Sequence, residues 1–384
     1  MTRVLVSCLQ AQKKHPLIGY EHWRRYFIEG CREAGLEPVE VPGVDWVEAF
    51  TLSGQELTAW RSRTWEAVLA YVRKEHAGAG LSLFVSYFYP IHIDEGAIRE
   101  IRRIGVPCVN FFCDNVRLYR KVPLEYVPFD LHWVPEFEAL PLYEKARLPS
   151  INAPMPCWVP SDLRQLPTAE TEPPTFIGGR DELRAELLGR ALALGGKFMI
   201  RGHGWKYRSD GEPIRRRPYL QVLRNQVALV EQWGLMSLFY KIEQRLNAAG
   251  QIAIRDSDTP GPVTGNDYFR VTREAEVTIG VNRVSRPDTS DRRPLTYSRL
   301  RDIEAPMLGA CYLSEWTEGL EQLYDLGTEI ETYRTAEELV AKLEMLADDR
   351  ARRHALRRLG QRRALTDHSV ACALHRIIDR LGVS

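Results

Sequence analysis

Apolar residues along the chain fall into two alternating patterns: short β-branched or aliphatic runs, and longer stretches with apolar positions every three or four residues. Arg3–Val6 opens the chain as a strand. Trp23, Phe27, Ile28 and Cys31 then share one helical face that Gly35 closes, and "PVEVP" predicts a second strand. Ser53 with Glu56 reads as a capping box ahead of the amphipathic series Leu57, Trp60, Thr64, Val68 and Val72. "LSLFVSYFYP" and "PCVNFFCDN" are near-continuous apolar runs, as strands buried on both faces of a parallel sheet require, and the helix "EGAIREIRRIG" separates them. "DLHWVPE" and "SINAPMPCWVP" predict further strands, so the first half reads as a doubly wound parallel sheet.

Residues 161–175 are polar and proline-rich and read as a linker. The alternation then restarts. "PTFIGG" and "KFMIRGHGW" are strands ending in glycines, with Leu183, Leu187, Ala191 and Leu194 lining the helix between them. A long helical region is expected at 218–249, strands at "VTIGVN" and "GACYLS", and a helix capped by Thr335 and Glu338. The expected organisation is a first Rossmann-like domain over 1–160, the linker, a second over 176–365, and a terminal helix over 366–384 packing back on the first. The class is α/β, with two facing Rossmann-like domains.

Composition narrows the function classes. The 384 residues carry 52 Lys and Arg against 51 Asp and Glu, which excludes a wholly basic nucleic-acid wrapper. Aromatics occur at core-like spacing rather than as a stacking platform, so no nucleic-acid partner is expected. The seven cysteines are scattered without a CxxC, so buried thiols are expected rather than disulfides or structural zinc. The first residues read as a strand rather than a signal peptide, and no apolar run reaches the ~18 residues of a membrane span, so the expected location is cytoplasmic. The neutral total hides a separation: residues 180–217 hold ten cations against five acids, 283–301 hold six against two, and 302–384 hold eleven against fifteen.

The basic part coincides with loops suited to an anion. In "FIGGRDELR", Gly178 and Gly179 allow close backbone approach, and Arg180 and Arg184 suit phosphate oxygens. In "RGHGW", Gly202 and Gly204 allow a tight turn, and Trp205 or His203 offers a stacking surface. A third segment places Glu304 near a helix start, Gly309 before a strand, and Thr317-Glu318-Gly319-Leu320 after it. An ionised carboxylate accepts from ribose hydroxyls, and the turn presents N–H groups to a diphosphate.

From about Leu300 to Leu365 the chain resembles the C-terminal donor-binding segment of the CgeB-like (spore maturation protein) glycosyltransferases. The resemblance rests on Arg301, Glu304, Gly309, Thr317 to Leu320, Glu321, Leu323, Tyr333, Glu338, Leu339, Gly360 and Arg363. "FIGGRDELR", "RGHGW" and "VTIGVN", the last ending at Asn282, echo the family more weakly. The resemblance implies a glycosyltransferase B fold with a nucleotide diphosphate sugar held by the C-terminal domain and no obligate metal or other cofactor. It implies Glu304 on the donor ribose, Thr317, Glu318 and Gly319 bordering the diphosphate and sugar, and Arg180 and Arg184 compensating the leaving-group charge. Thr296 stands eight positions before Glu304, where related retaining enzymes carry a glutamate, so the stereochemical outcome is open.

The expected activity is metal-independent transfer of a sugar to the hydroxyl of an acceptor, which the sequence leaves open among glycans, natural products, lipid-linked molecules and proteins. Asp114 is the first choice for a general base, with His92 and His15 as rivals. A nucleotide-sugar epimerase or hydrolase on the same fold, and a non-catalytic nucleotide-sugar-binding protein, are the alternatives. The segment 214–247, basic at its start and then apolar, reads as a surface for peripheral contact with an anionic membrane.

Overall fold

The computed structural model describes residues 2–15, 19–205, 254–284 and 294–383. The helical region expected at 218–249, the segment 214–247 and positions 285–293 of the basic loop lie outside the described residues. The chain divides into two compact units, Met1–Val159 with Leu365–Ser384, and Pro160–Ala364.

The first unit holds strands β1 (Arg3–Ser7), β2 (Glu37–Val39), β3 (Leu83–Tyr87), β4 (Cys108–Phe111), β5 (Leu131–Val134) and β6 (Ser150–Asn152). All pair in parallel in the order β2-β1-β3-β4-β5-β6. Strands β3, β4 and β5 are buried at every position, as two helical layers over a parallel sheet demand. Those layers come from α1 (Tyr20–Glu33), α2 (Gly54–Gly78), α3 (Glu95–Ile104), α4 (Asn115–Leu118) and α5 (Leu140–Ala146). Helix α3 is capped by Asp94, whose Oδ1 accepts from the Ala97 N–H at 2.9 Å, and it ends on Gly105 at φ 100°. Ser53 does precede α2, but its side chain makes no capping bond.

The second unit holds β7 (Thr175–Ile177), α6 (Glu182–Ala193), β8 (Met199–Arg201), α7 (Gly265–Glu274) and β9 (Thr278–Gly280). A two-stranded antiparallel hairpin, β10 (Arg283–Val284) with β11 (Leu295–Thr296), precedes α8 (Arg301–Met307). Then follow β12 (Tyr312–Glu315), α9 (Leu320–Leu323), β13 (Glu331–Tyr333), α10 (Ala336–Asp348) and α11 (Arg350–Asp367). Its parallel sheet runs β13-β12-β9-β7-β8. Read from the opposite edge, this is the connectivity of the first five strands of unit one. In both sheets the first strand lies between the second and third, so connections leave it in opposite directions and open a crevice at the strands' carboxyl ends. The core of this unit joins Phe176, Leu188, Ile200, Ile279, Leu313, Leu339 and Leu343.

Residues 161–175 are held into the second unit. Glu172 bridges Ala275 in parallel and pairs with Arg201 and Arg270, each at 2.8 Å. The last helix, α12 (Val370–Leu381), packs on α1 within the first unit, and it does so closely: a Cβ on Gly30 would stand 2.3 Å from Val370. All seven cysteines are free thiols, and only Cys372 is not buried.

Candidate functional site

The crevice of the second unit opens between β7 and β9. β7 leads into Gly178-Gly179-Arg180, and α6 starts at once, with Asp181 Oδ1 accepting from the Arg184 N–H at 2.9 Å. This cap fixes Arg184 on the first turn of the helix. Its Nη1 donates to the Gly179 carbonyl at 3.0 Å, and its guanidinium lies 5.9 Å from the Phe176 ring centroid. Its Nε pairs with Asp181 Oδ2 at 3.1 Å, and the charges of two further arginines reach it. Arg299 lies 5.4 Å from the ring centroid of Tyr297, and Arg301 lies 5.3 Å from that of Tyr268. Burial, then the like charges of Arg299 and Arg301, hold Arg184 below the ordinary arginine value although Asp181 opposes the shift. Arg301 Nη1 is buried and meets no acceptor among the described residues. Three converging guanidiniums, one with an unfilled donor, make a site for an anion.

Glu304 adjoins this cluster. It is buried at 5% exposure on the first turn of α8, and the Tyr268 hydroxyl donates to its Oε2. That bond orients the carboxylate.

Beneath these residues runs a buried polar network that sequence reasoning missed. Asp302 has no exposed surface and accepts from the Tyr312 and Ser314 hydroxyls at 2.7 Å each and from the Arg299 N–H at 3.0 Å. Glu315, at the end of β12, accepts from the Arg283 guanidinium at 2.8 and 2.6 Å and from the N–H groups of Asn282 and Arg283 at 3.0 and 3.1 Å. The network therefore fixes Arg299 and Arg283 at the mouth of the crevice. Its signal in the sequence was a Ser-Glu pair closing an apolar strand, a place where buried polar side chains must find partners.

Several expected donor residues serve the scaffold instead. The Asn282 amide donates to Asp302, Ser314 and the Glu315 carbonyl at 3.0–3.2 Å, and the residue is 1% exposed, so it holds the network rather than a ligand. Trp205 is a core residue against Phe176, with Nε1 donating to the Gly178 carbonyl at 2.7 Å; it offers no stacking face. Gly202 is a glycine because a Cβ there would stand 1.9 Å from the Gly178 carbonyl oxygen, a close approach of two backbones. Gly204, at φ 82°, makes the following turn. Gly309 closes α8 at φ 75° and lies at the amino end of β12, opposite the crevice. After β12, Thr317 and Leu320 are fully buried, Gly319 turns the chain at φ 80°, and Glu318 is the exposed member. Gly178, Gly179 and Arg180 do flank the crevice, and Gly179 and Arg180 are exposed.

In the first unit the three candidate bases have different surroundings. His92 is fully buried; Nε2 donates to the Trp46 carbonyl at 3.1 Å and Nδ1 accepts from the Tyr89 N–H at 3.0 Å. Burial lowers its pKa to about 3, and with both nitrogens engaged it is a core histidine, a correction to its expected role. Asp114 occupies the left-handed region at φ 68° as the residue before α4, 3.9 Å from Arg117. Behind it lies Glu136, whose carboxyl burial pushes up to about 8 although Asn115 donates to it at 2.9 and 2.6 Å. His15 stands on the loop after β1, at the switch point of its sheet. Its Nε2 donates to Asp45 at 2.9–3.0 Å, both side chains being nearly buried. Asp45 is itself fixed by the N–H groups of Gln12 and Glu48 at 2.9 and 3.0 Å. This carboxylate sets the imidazole tautomer and leaves Nδ1 as the acceptor, the arrangement of an oriented general base. Asp45, 30 residues away, had no local signal.

Among the described residues no group of three or more His, Cys, Asp or Glu could hold a metal ion, and no helix is long and apolar enough to cross a membrane. The family model described as glycosyl transferase-like matches residues 181–379. No curated protein matches the chain by sequence. Among solved structures, the chain is similar to sucrose-phosphate synthase from Thermosynechococcus elongatus, with 13% identity, 99% of each chain covered and a TM-score of 0.57. It is similar to Alr3699/HepE of Anabaena in complex with UDP, with 11% identity, 100% of each chain covered and a TM-score of 0.53. A glycosyltransferase from Rickettsia africae matches with 10% identity over 98% of this chain and 97% of that one, with a TM-score of 0.53. At these identities the likeness shows the fold, a glycosyltransferase B architecture of two Rossmann-like domains.

Proposed function

The chain belongs to the glycosyl transferase-like family, and from that premise we propose that it moves a sugar from a nucleoside diphosphate donor to an acceptor hydroxyl without a metal ion. The observation that carries the donor reading is the convergence of Arg184, Arg299 and Arg301 beside the oriented Glu304 carboxylate. Glu304 accepts from the ribose hydroxyls, and the arginines receive the diphosphate, with Gly178 and Gly179 letting it approach the backbone. That a protein of similar fold was crystallised with UDP supports a nucleotide at this crevice. The 300–365 motif supports a CgeB-like subfamily.

In the transfer, the acceptor oxygen bonds to the anomeric carbon while the bond from that carbon to the diphosphate oxygen breaks. The hydroxyl proton passes to His15 Nδ1, and Asp45 stabilises the imidazolium that forms. The electron pair leaves with the nucleoside diphosphate, whose added charge the arginines meet, the work a metal ion does in other transferases. Asp114 is the runner-up for the base, and its proximity to Arg117 and to Glu136 favours His15. Where no acceptor is supplied, water takes its place slowly.

The test is release of nucleoside diphosphate from a panel of nucleotide sugars by the full chain, comparing wild type, His15→Ala and Asp114→Asn. The expected result is release from at least one donor, lowered about 10²-fold or more by His15→Ala and little changed by Asp114→Asn. Equal rates for wild type and His15→Ala would remove His15 from the mechanism.

A further inference from the structure

A cavity of about 770 Å³ opens between the loop after β1 and helix α1. That volume suits a small ligand, since such pockets span roughly 300–1,000 Å³. Its cations are Lys13 and Lys14 from the loop that carries His15, and Arg24, Arg25 and Arg32 from α1; among the described residues its acids are Glu21 and Glu29. Most of these charges are already matched. Lys13 meets Glu48 at 2.8 Å, Arg24 takes Glu40 in a two-bonded fork at 2.8 and 2.5 Å, and Arg32 meets Glu29 at 2.6 Å. Lys14 and Arg25 meet no carboxylate among the described residues. Arg25 instead lies over Trp158, its guanidinium carbon 4.7 Å from the ring centroid, which orders the side chain without neutralising it. Two cations without a carboxylate partner thus border a cavity whose lining includes Tyr20, the ring against which His15 packs edge-on at 6.0 Å.

We infer that the acceptor is an anion: a hydroxyl compound bearing a phosphate or carboxylate group, which Lys14 and Arg25 hold while its hydroxyl meets His15. This deepens the transfer reading and rests on His15 as the base. An anionic acceptor gives a partner to the two lining cations that meet no carboxylate, Lys14 on the loop that carries the base and Arg25 on α1. Arg25 provides the geometric grip, as a planar fork suited to two oxygens, and Lys14 a mobile point charge.

The test is equilibrium binding of three matched sugars to the full-length chain at about 0.1 M salt, where exposed long-range attraction is already screened. The sugars are glucose 6-phosphate, glucuronate and glucose, so the arms separate phosphate from carboxylate from neither. At least one anionic sugar is expected to bind about tenfold or more tightly than glucose, and Lys14→Ala and Arg25→Ala each to weaken it about fivefold. His15→Ala is the control. It is expected to keep anion binding while losing turnover. Anionic sugars that bind no better than glucose, or that bind a folded Lys14→Ala/Arg25→Ala double variant unchanged, overturn the inference even if His15→Ala is inactive. Full turnover by His15→Ala, with anion binding that depends on Lys14 and Arg25, would instead overturn the base and leave the anion site standing.

Discussion

Glu170→Ala tests how the second unit is held together. The Glu170 carboxylate, 10% exposed, accepts from Arg353 at 2.6–3.2 Å and from Arg357 Nη2 at 3.2 Å. Those guanidiniums are 7% and 1% exposed. Removing the carboxylate leaves two buried cations without a counter-charge, a change that costs about 3–5 kcal/mol when one partner of a buried pair is lost. Arg357 keeps bonds to the carbonyls of Arg273, Gly309 and Ala275, and Arg353 keeps those of Leu346 and Ala347, so the lower end, about 3 kcal/mol, is expected. For a unit spanning Pro160–Ala364, an unfolding entropy of about 2.1 cal/mol/K per residue converts this to a fall of about 7 °C in melting temperature. The effect also has a pH signature. Burial pushes Glu170 up, but the bond from Arg353 and the two guanidinium charges prevail, and the carboxyl sits below its usual range. A depressed folded value means that its stabilisation is present above the unfolded pKa of about 4.3 and is lost as pH falls through the folded value. Calorimetry of wild type and Glu170→Ala at pH 7, and again well below pH 4, reads both. The gap should be wide at pH 7 and narrow in acid. A gap under about 1 °C at pH 7, or one that widens in acid, would refute the reasoning.

Asp45→Asn should leave nucleotide affinity intact but lower turnover about 10²-fold, because the amide no longer holds the imidazolium; unchanged initial rates would contradict this. Glu315→Gln breaks the buried pair with Arg283 and should cost about 3 kcal/mol or more in urea unfolding, with a loss of nucleotide binding as Arg283 is released. Gly202→Ala forces a Cβ into the Gly178 carbonyl and should lower both melting temperature and donor affinity, whereas Gly179→Ala, with open space around it, should lower neither melting temperature nor expression. Trp205→Phe should cost about 1 kcal/mol for its lost bond to Gly178 and leave nucleoside diphosphate affinity within twofold; a larger loss would restore a ligand-stacking role.

What the sequence disclosed followed the range of each interaction. Strands β3, β4 and β5 are apolar throughout, so they were legible from a few residues. The α10 cap was equally local: Thr335 Oγ1 accepts from the Glu338 N–H at 3.2 Å, and Glu338 accepts from the Arg334 N–H at 2.7 Å. Strand β13 passed unseen because its buried Glu331 breaks the apolar run and is matched by Lys342 and Arg352, eleven and twenty-one residues away. Site residues divide the same way. Glu304, Arg301 and Arg184 stood in short motifs, whereas Tyr268, which orients Glu304, and the nearness of Arg299 and Arg301 to Arg184 come only from folding. His15 was visible as a loop histidine, and nothing short of the fold distinguishes it from His92. Trp205 shows the converse error: a tryptophan after a glycine turn matches a stacking residue in sequence and a core residue in space.

The central claim is that the Arg184, Arg299 and Arg301 cluster with Glu304 binds a nucleoside diphosphate. The most direct measurement is calorimetric titration of the full-length chain with UDP, ADP, GDP, TDP and CDP, followed by the best ligand against Glu304→Ala and Arg301→Ala. The account predicts saturable, enthalpically driven binding of at least one of them, weakened about tenfold or more by each substitution, with circular dichroism unchanged. Binding of none of the five, or undiminished binding by both folded variants, would contradict it.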